Sequence, residues 1–302
     1  MAGTLVLPLT VNNVRRSVTF DYRIMKNSWK IILIIGVAAA ITAAAFWFVC
    51  YENKSNPDIS FCCDSKTMMT SGIAPHHDLA SSMIDEFYQT LNLKNKKIET
   101  FIILSPNHAN IGNTPVITSL VDRQTAQGAV DVDAELFGRL KSFGFVSVDE
   151  KNIALEHGVA VHLPFIKKYF PDARIVPLAF STKLKTAESF ELAQALKKIL
   201  ADENVFLLAS LDFSHYLPFT TAQVKDVETM AAMKNFDYEQ IASFGSDNVD
   251  SPQALITFLR AMELSGAKNI IELAHKSSSD FLVVEGGSVT TYYNLLASGL
   301  RE

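Results

Sequence analysis

The sequence predicts a single α/β domain, a mixed central sheet flanked by helices, preceded by one N-terminal transmembrane helix. Apolar runs such as IETFIIL (98–104) and NVFLLAS (204–210) alternate with helical stretches such as LASSMIDEFYQTL (79–91) and AESFELAQALKKILA (187–201). Continuous apolar runs of strand length suit a sheet covered on both faces. A separate stretch, 31–50, carries no charge. With 302 residues, 48% of them apolar and 20% charged, the chain has material for one large core plus one apolar span.

Residues 1–30 read as a cytoplasmic segment and 31–51 as the anchor. IILIIGVAAAITAAAFWFVC (31–50) has Thr42 as its one polar side chain. As a helix it is about 30 Å long, the thickness of the hydrocarbon core. Trp47 and Tyr51 lie near its far end, where aromatic belts form. Arg15, Arg16, Arg23, Lys26 and Lys30 precede it against Asp21, whereas Glu52, Asp58 and Asp64 follow it with Lys54 and Lys66. The positive-inside rule makes this a single-pass protein with its N-terminus cytoplasmic and its domain on the non-cytoplasmic side, periplasmic or extracellular. A signal peptide starting at Met25 is the rival reading and leaves the domain on the same side.

Residues 52–65 form a polar linker, and 66–302 form the domain. TMMTSGIAP (67–75) reads as a strand ending at His76, and 79–91 as a helix. The strand at 98–104 runs into SPNH (105–108). VDAELFGRLKSFG (132–144) reads as a helix closed by Gly144, and HGVAVHLPFIKKYF (157–170) as helical around Pro164. ARIVPLAF (173–180) and NVFLLAS (204–210) are strands on either side of the helix at 187–201; the second runs into LDFSHY. PQALITFLRAMELSG (252–266) is a helix stopped by Gly266. The tail alternates short strands and closes with VTTYYNLL (289–296).

Charge and cysteine content exclude some classes. The net charge of −5 argues against a nucleic-acid binder. Cys50, Cys62 and Cys63 all precede the domain and show no zinc spacing.

Three strands lead into a histidine: His76, His108 and, four residues after LLASL, His215. Ligands bind at the carboxyl ends of strands in such sheets, and imidazole is both the commonest metal ligand and the usual acid/base group. Pro75 and Pro106 restrict the backbone beside the first two. Asp212 lies three residues before His215, close enough on a helical turn to orient its ring. Glu156-His157 adds another carboxylate and ring.

SGIAPHH (71–77), ILSPNH (103–108), EHGVAVHLPF (156–165) and LASLDFSHY (208–216) resemble the four ordered motifs of the Memo-like proteins, also called AmmeMemoRadiSam system protein B. The resemblance covers about residues 68–296. It implies one α/β domain similar in fold to the class III extradiol dioxygenases, with a pocket at one end of the sheet. It implies a divalent metal, Fe(II) first, with copper or zinc as alternatives. His76 and His108 match the family's metal-binding histidines, and His157, His215 and Asp212 match polar residues of the same pocket. These three form the expected catalytic group, with His157 or His215 moving a proton and Asp212 orienting it. Family members usually follow the first histidine with Ala-Gly, where this chain has His77-Asp78. Animal Memo proteins complete the metal site with a cysteine near the C-terminus, but no cysteine follows Cys63 here. Register from SVTTYY makes Asp280 the expected third ligand, with Glu285 and His275 as alternatives.

Two functions compete. The first is a dioxygenase-like oxidoreductase, in which two histidines and a carboxylate leave open positions on non-haem iron. The second is a non-catalytic protein that binds a metal, a small molecule or a phosphopeptide. The resemblance also implies association with AMMECR1-type or radical-SAM proteins.

Overall fold

The computed structural model describes residues 69–298 apart from 96, 141, 203 and 283–286, all within the unit Asp64–Glu302. In chain order the first elements are β1 (Met69–Ala74), α1 (Ser81–Lys94), β2 (Thr100–Pro106), β3 (Val116–Thr118), the hairpin of β4 (Arg123–Thr125) and β5 (Gly128–Val130), α2 (Ala134–Gly138) and β6 (Val146–Val148). Three short helices follow, α3 (Glu150–Ile153), α4 (His157–Ala160) and α5 (Leu163–Tyr169), then β7 (Arg174–Phe180), α6 (Thr186–Asp202) and β8 (Val205–Ser210). The chain closes with β9 (Phe213–Pro218), α7 (Phe219–Asn235), α8 (Tyr238–Ala242), α9 (Pro252–Leu264), β10 (Asn269–Ser277) and β11 (Ser288–Ser298).

Nine strands form one mixed sheet in the order β10-β11-β1-β8-β2-β7-β3-β6, with β9 pairing β11. The four central strands, β1, β8, β2 and β7, run parallel. Every residue of β2 is buried, as is every residue of β8, which is why these segments read as unbroken apolar runs. Side chains alternate between two core layers: Ile102 and Leu104 face one, Phe101 and Ile103 the other. Leu192 and Leu196 of α6 and Leu255 and Leu259 of α9 cover the first layer. Phe87 and Leu91 of α1 and Leu163 and Ile166 of α5 cover the second.

Parallel pairing aligns the strand ends. Ala74 sits opposite Ser210, and Pro106 opposite Phe180. The segments leaving β1, β2, β7 and β8 therefore emerge along one edge, carrying His76, His108, Thr182 and Asp212.

Several expectations need correction. No helix among the described residues is long and apolar enough to cross a membrane. The two longest, α6 and α7, have 17 residues each and carry charges such as Glu188, Lys198, Lys225 and Glu228. At about 1.5 Å per residue neither reaches the ~30 Å of a bilayer core. The structure thus overturns the transmembrane helix in the expected fold class, and with it the single-pass location with a non-cytoplasmic domain. The stretch 31–51 to which that expectation was attached lies outside the described residues. The helix expected at 132–144 shrinks to the five residues of α2, and that at 157–170 splits into α4 and α5, the second starting with Pro164 in its first turn. Helix α7 has no counterpart in the periodicity. Its apolar residues fall around the circumference, Ala222, Ala232 and Met233 buried, Val224 and Val227 exposed.

Candidate metal centre

His76 lies two residues beyond β1 and is 2% exposed. Its Nδ1 is 3.1 Å from Ser210 Oγ at the end of β8. That hydroxyl donates its own proton to the Gly158 carbonyl, 2.6 Å away. Ser210 must therefore accept from His76, so the ring carries its hydrogen on Nδ1 and presents a lone pair at Nε2. The lone pair faces two carboxylates, Asp250 Oδ2 at 3.2 Å and Asp212 Oδ2 at 3.7 Å. Acceptor against acceptor in a dry site is unfavourable unless a proton or a cation stands between them.

The two carboxylates are locked to each other through backbone bonds. The Asp212 N–H donates to Asp250 Oδ2 at 3.0 Å, and the Asp250 N–H donates to the Asp212 carbonyl at 3.1 Å. Asp212 Oδ1 also accepts the His76 N–H at 3.0 Å. Asp250 occupies the position just before Ser251, whose side chain caps α9. Its other oxygen, Oδ1, is buried with no hydrogen-bond partner among the described residues.

His108 is fixed from the opposite side. Its Nδ1 lies 2.6 Å from Glu156 Oε1, and its backbone N–H donates to Glu156 Oε2 at 2.9 Å. A buried carboxylate on Nδ1 leaves Nε2 as the free lone pair, the usual support for a metal-binding imidazole. Glu156 also caps α4 by accepting the Gly158 N–H. His157, the first residue of α4, stands over His108 with ring centroids 4.0 Å apart. The His76 ring is 5.0 Å from that of His108 and 5.2 Å from that of His157.

The cluster favours neutral imidazoles. Burial, and then the neighbouring His108 and His157, push the His76 pKa well down. Burial and then His108 lower that of His157, and burial lowers that of His215. Burial raises the Asp212 carboxyl, and burial followed by the charge of Asp212 raises Asp250 well above its ordinary range. Burial would raise Glu156 too, but hydrogen bonds from the His108 ring and from the Gly158 and His108 N–H groups outweigh it and hold Glu156 low.

Two sets of three donors meet metal-ligand spacing, His76 with His108 and His157, and His76 with Asp212 and Asp250, each set within 4.8 Å. They line a cavity of about 460 Å³ together with His77, His215, Tyr216 and Thr290. The residues thus fit a divalent cation: lone pairs from neutral rings on one side, carboxylates on the other.

The structure brings together His76, His108, His157, His215 and Asp212 at this cavity. It does not bring Asp280 there. That side chain closes a short turn, accepting from the Ser277 N–H at 2.7 Å and its hydroxyl at 3.0 Å. His275 is also elsewhere, 2.8 Å from Asp226 and stacked on Tyr293, and Glu285 lies outside the described residues. The carboxylates set beside His76 are instead Asp212 and Asp250. The signal for Asp250 in the sequence was slight, an acid one residue ahead of the Ser-Pro that starts α9.

A family model described as a Memo-like protein matches residues 43–294 of this chain. The chain belongs to the Memo-like family. A MEMO1 family protein of Saccharolobus islandicus is 32% identical over 146 residues, covering 47% of this chain and 51% of that protein. The chain thus spans about half the length of that relative. A MEMO1 family protein of Pyrobaculum aerophilum is 29% identical over 216 residues, covering 69% of this chain and 76% of its own. The crystal structure of an uncharacterized Escherichia coli protein superposes with a TM-score of 0.51 at 16% identity, covering 75% of this Memo-like chain and 99% of that one. At that identity the likeness is one of fold.

Proposed function

We propose that this Memo-like protein binds a divalent metal, Fe(II) in its working form, and uses it in an oxidoreductase reaction on a small molecule. The observation that carries the reading is the His76 Nε2 lone pair set 3.2 Å from an Asp250 oxygen, an opposition that a cation relieves. His76 would hold the ion, either with Asp212 and Asp250 or with His108 and His157. Bound iron would supply one-electron chemistry toward oxygen and an electron-rich substrate, and three protein donors would leave positions open for both. The chain's own groups handle protons. His215 has a buried Nδ1 without a hydrogen-bond partner among the described residues, and burial lowers its pKa, so it stays neutral near pH 7 and can accept a proton within the cavity. His157, with 58% of its side chain exposed, stands where protons can exchange with solvent.

No Lys or Arg lines the cavity among the described residues, so a phosphopeptide would find no fixed cation to pair with its phosphate. The test is metal analysis of the full chain purified without chelator. Stoichiometric metal in the wild-type protein, lost in a His76→Ala/His108→Ala double variant, is expected. Equal metal in the two proteins, or none taken up after incubation with Fe(II) under reducing conditions, would overturn the site. Oxygen uptake with candidate catechols then separates an enzyme from a non-catalytic metal binder.

A further inference from the structure

His77, next to His76 in the chain, is set the opposite way. Its Nδ1 lies 2.6 Å from the Tyr292 hydroxyl. Tyr292 is wholly buried on β11, and among the described residues His77 Nδ1 is the acceptor available to that hydroxyl. Burial, and then the charge of Asp212, keep the phenol protonated. A buried phenol leaves its proton unpaired only at considerable cost, so Tyr292 donates and His77 Nδ1 accepts. The hydrogen of the neutral His77 ring is then on Nε2. His76 and His108 are the reverse, each with its hydrogen on Nδ1 and a lone pair at Nε2.

This difference divides the rings by role. A ring whose free nitrogen carries hydrogen is no metal ligand unless it changes tautomer, which would strand the Tyr292 hydroxyl. His77 is exposed and lines the same cavity as the cluster. No Lys or Arg is among the described residues lining the cavity, so a ligand oxygen held there depends on N–H and O–H donors. The His77 Nε2–H is one such donor, on the exposed side of the cavity.

We infer that His77 anchors the ligand, its Nε2–H donating to an acceptor oxygen of a small molecule held in the cavity, with Tyr292 as the positioning residue that fixes the donor. The inference deepens the metal-site reading, on which it relies for what holds the rest of the ligand.

Two measurements on the full chain test it. The first needs no ligand: nitrogen-detected NMR of the histidine rings in the diamagnetic zinc-loaded or metal-free protein, assigned with His77→Gln. The Nε2–H tautomer is expected for His77, with Tyr292→Phe releasing it to a tautomer mixture. An Nδ1–H tautomer in the wild-type protein overturns the inference whether or not metal binds. The second uses 4-nitrocatechol as the probe, titrated by absorbance into metal-loaded protein. His77→Ala is expected to keep full metal content while weakening the probe about ten- to hundredfold, the loss of one hydrogen bond to a charged oxygen. His77→Gln, which restores an N–H, should recover part of it. Loss of metal in His77→Ala, an affinity within twofold of wild type, or no probe binding by the metal-loaded wild-type protein each counts against the assignment.

Discussion

Glu156 holds His108 through both its ring and its backbone, so replacing it tests the centre without removing any proposed ligand. Its two oxygens accept from His108 Nδ1 at 2.6 Å, the His108 N–H at 2.9 Å and the Gly158 N–H at 3.0 Å, with the side chain 5% exposed. In Glu156→Gln one oxygen can still serve the ring and Gly158, but the new amide NH₂ then faces the His108 N–H, donor against donor. One charge-assisted bond is lost and one donor stranded, a cost of about 1.5–3 kcal/mol in stability. Metal affinity should fall about ten- to hundredfold, because an imidazole that loses its carboxylate support is less basic and less well aimed. Competition against a chromogenic chelator at pH 7.5 gives the affinity, and urea unfolding of the metal-free protein gives the stability. Acid sensitivity is a further handle. Glu156 has a folded pKa below its unfolded value of about 4.3, so its stabilisation is complete above that pH and is lost as pH falls through the folded pKa. The Gln variant lacks that step. A metal affinity within twofold of wild type would refute the argument that Glu156 orients a metal-binding His108.

Asp250→Asn should separate binding from stability. The folded carboxyl has a raised pKa, so its contribution is greatest below an unfolded pKa of about 3.9 and is lost as pH rises through the folded value. The metal-free Asn variant should therefore be more stable than wild type at pH 7.5, by on the order of 1 kcal/mol, yet fail to retain metal. A variant less stable than wild type, or one with full metal, contradicts this. His162 is wholly buried, neither ring nitrogen has a hydrogen-bond partner among the described residues, and burial holds its pKa at about 3. It folds neutral, so between pH 6.5 and about 3 the unfolded chain takes up the proton first and stability drains away. At pH 5 the loss is about 2 kcal/mol relative to pH 7.5, and His162→Leu should abolish it in paired urea titrations; identical pH dependence in the two proteins would sink it.

Much of the domain was legible because its elements are long and regular. The strands at 98–104 and 204–210 and the helices at 79–91, 187–201 and 252–266 all have counterparts within a few residues of their expected bounds. Helix α7 was illegible because its buried and exposed faces are both partly apolar. The expected membrane span rested on the hydropathy, aromatic residues and flanking charges of 31–51, which lies outside the described residues, and none of the described helices has that character.

The sequence by itself determined the chemistry at the strand ends. Pro-His after β1, Pro-Asn-His at the end of β2 and Asp-Phe-Ser-His after β8 are local patterns, and parallel pairing of those strands gathers their ends at one edge. Only the tertiary structure decided which carboxylate joins them and which way each ring faces. Asp250 reaches His76 because its loop exchanges backbone bonds with Asp212, 38 residues away in the chain, a pairing with no local signal. The hydrogen of each imidazole is placed by whatever touches its other nitrogen: Ser210 for His76, Glu156 for His108, Tyr292 for His77. Those contacts join residues 134, 48 and 215 positions apart, so the adjacent His76 and His77 carry their hydrogens on opposite nitrogens.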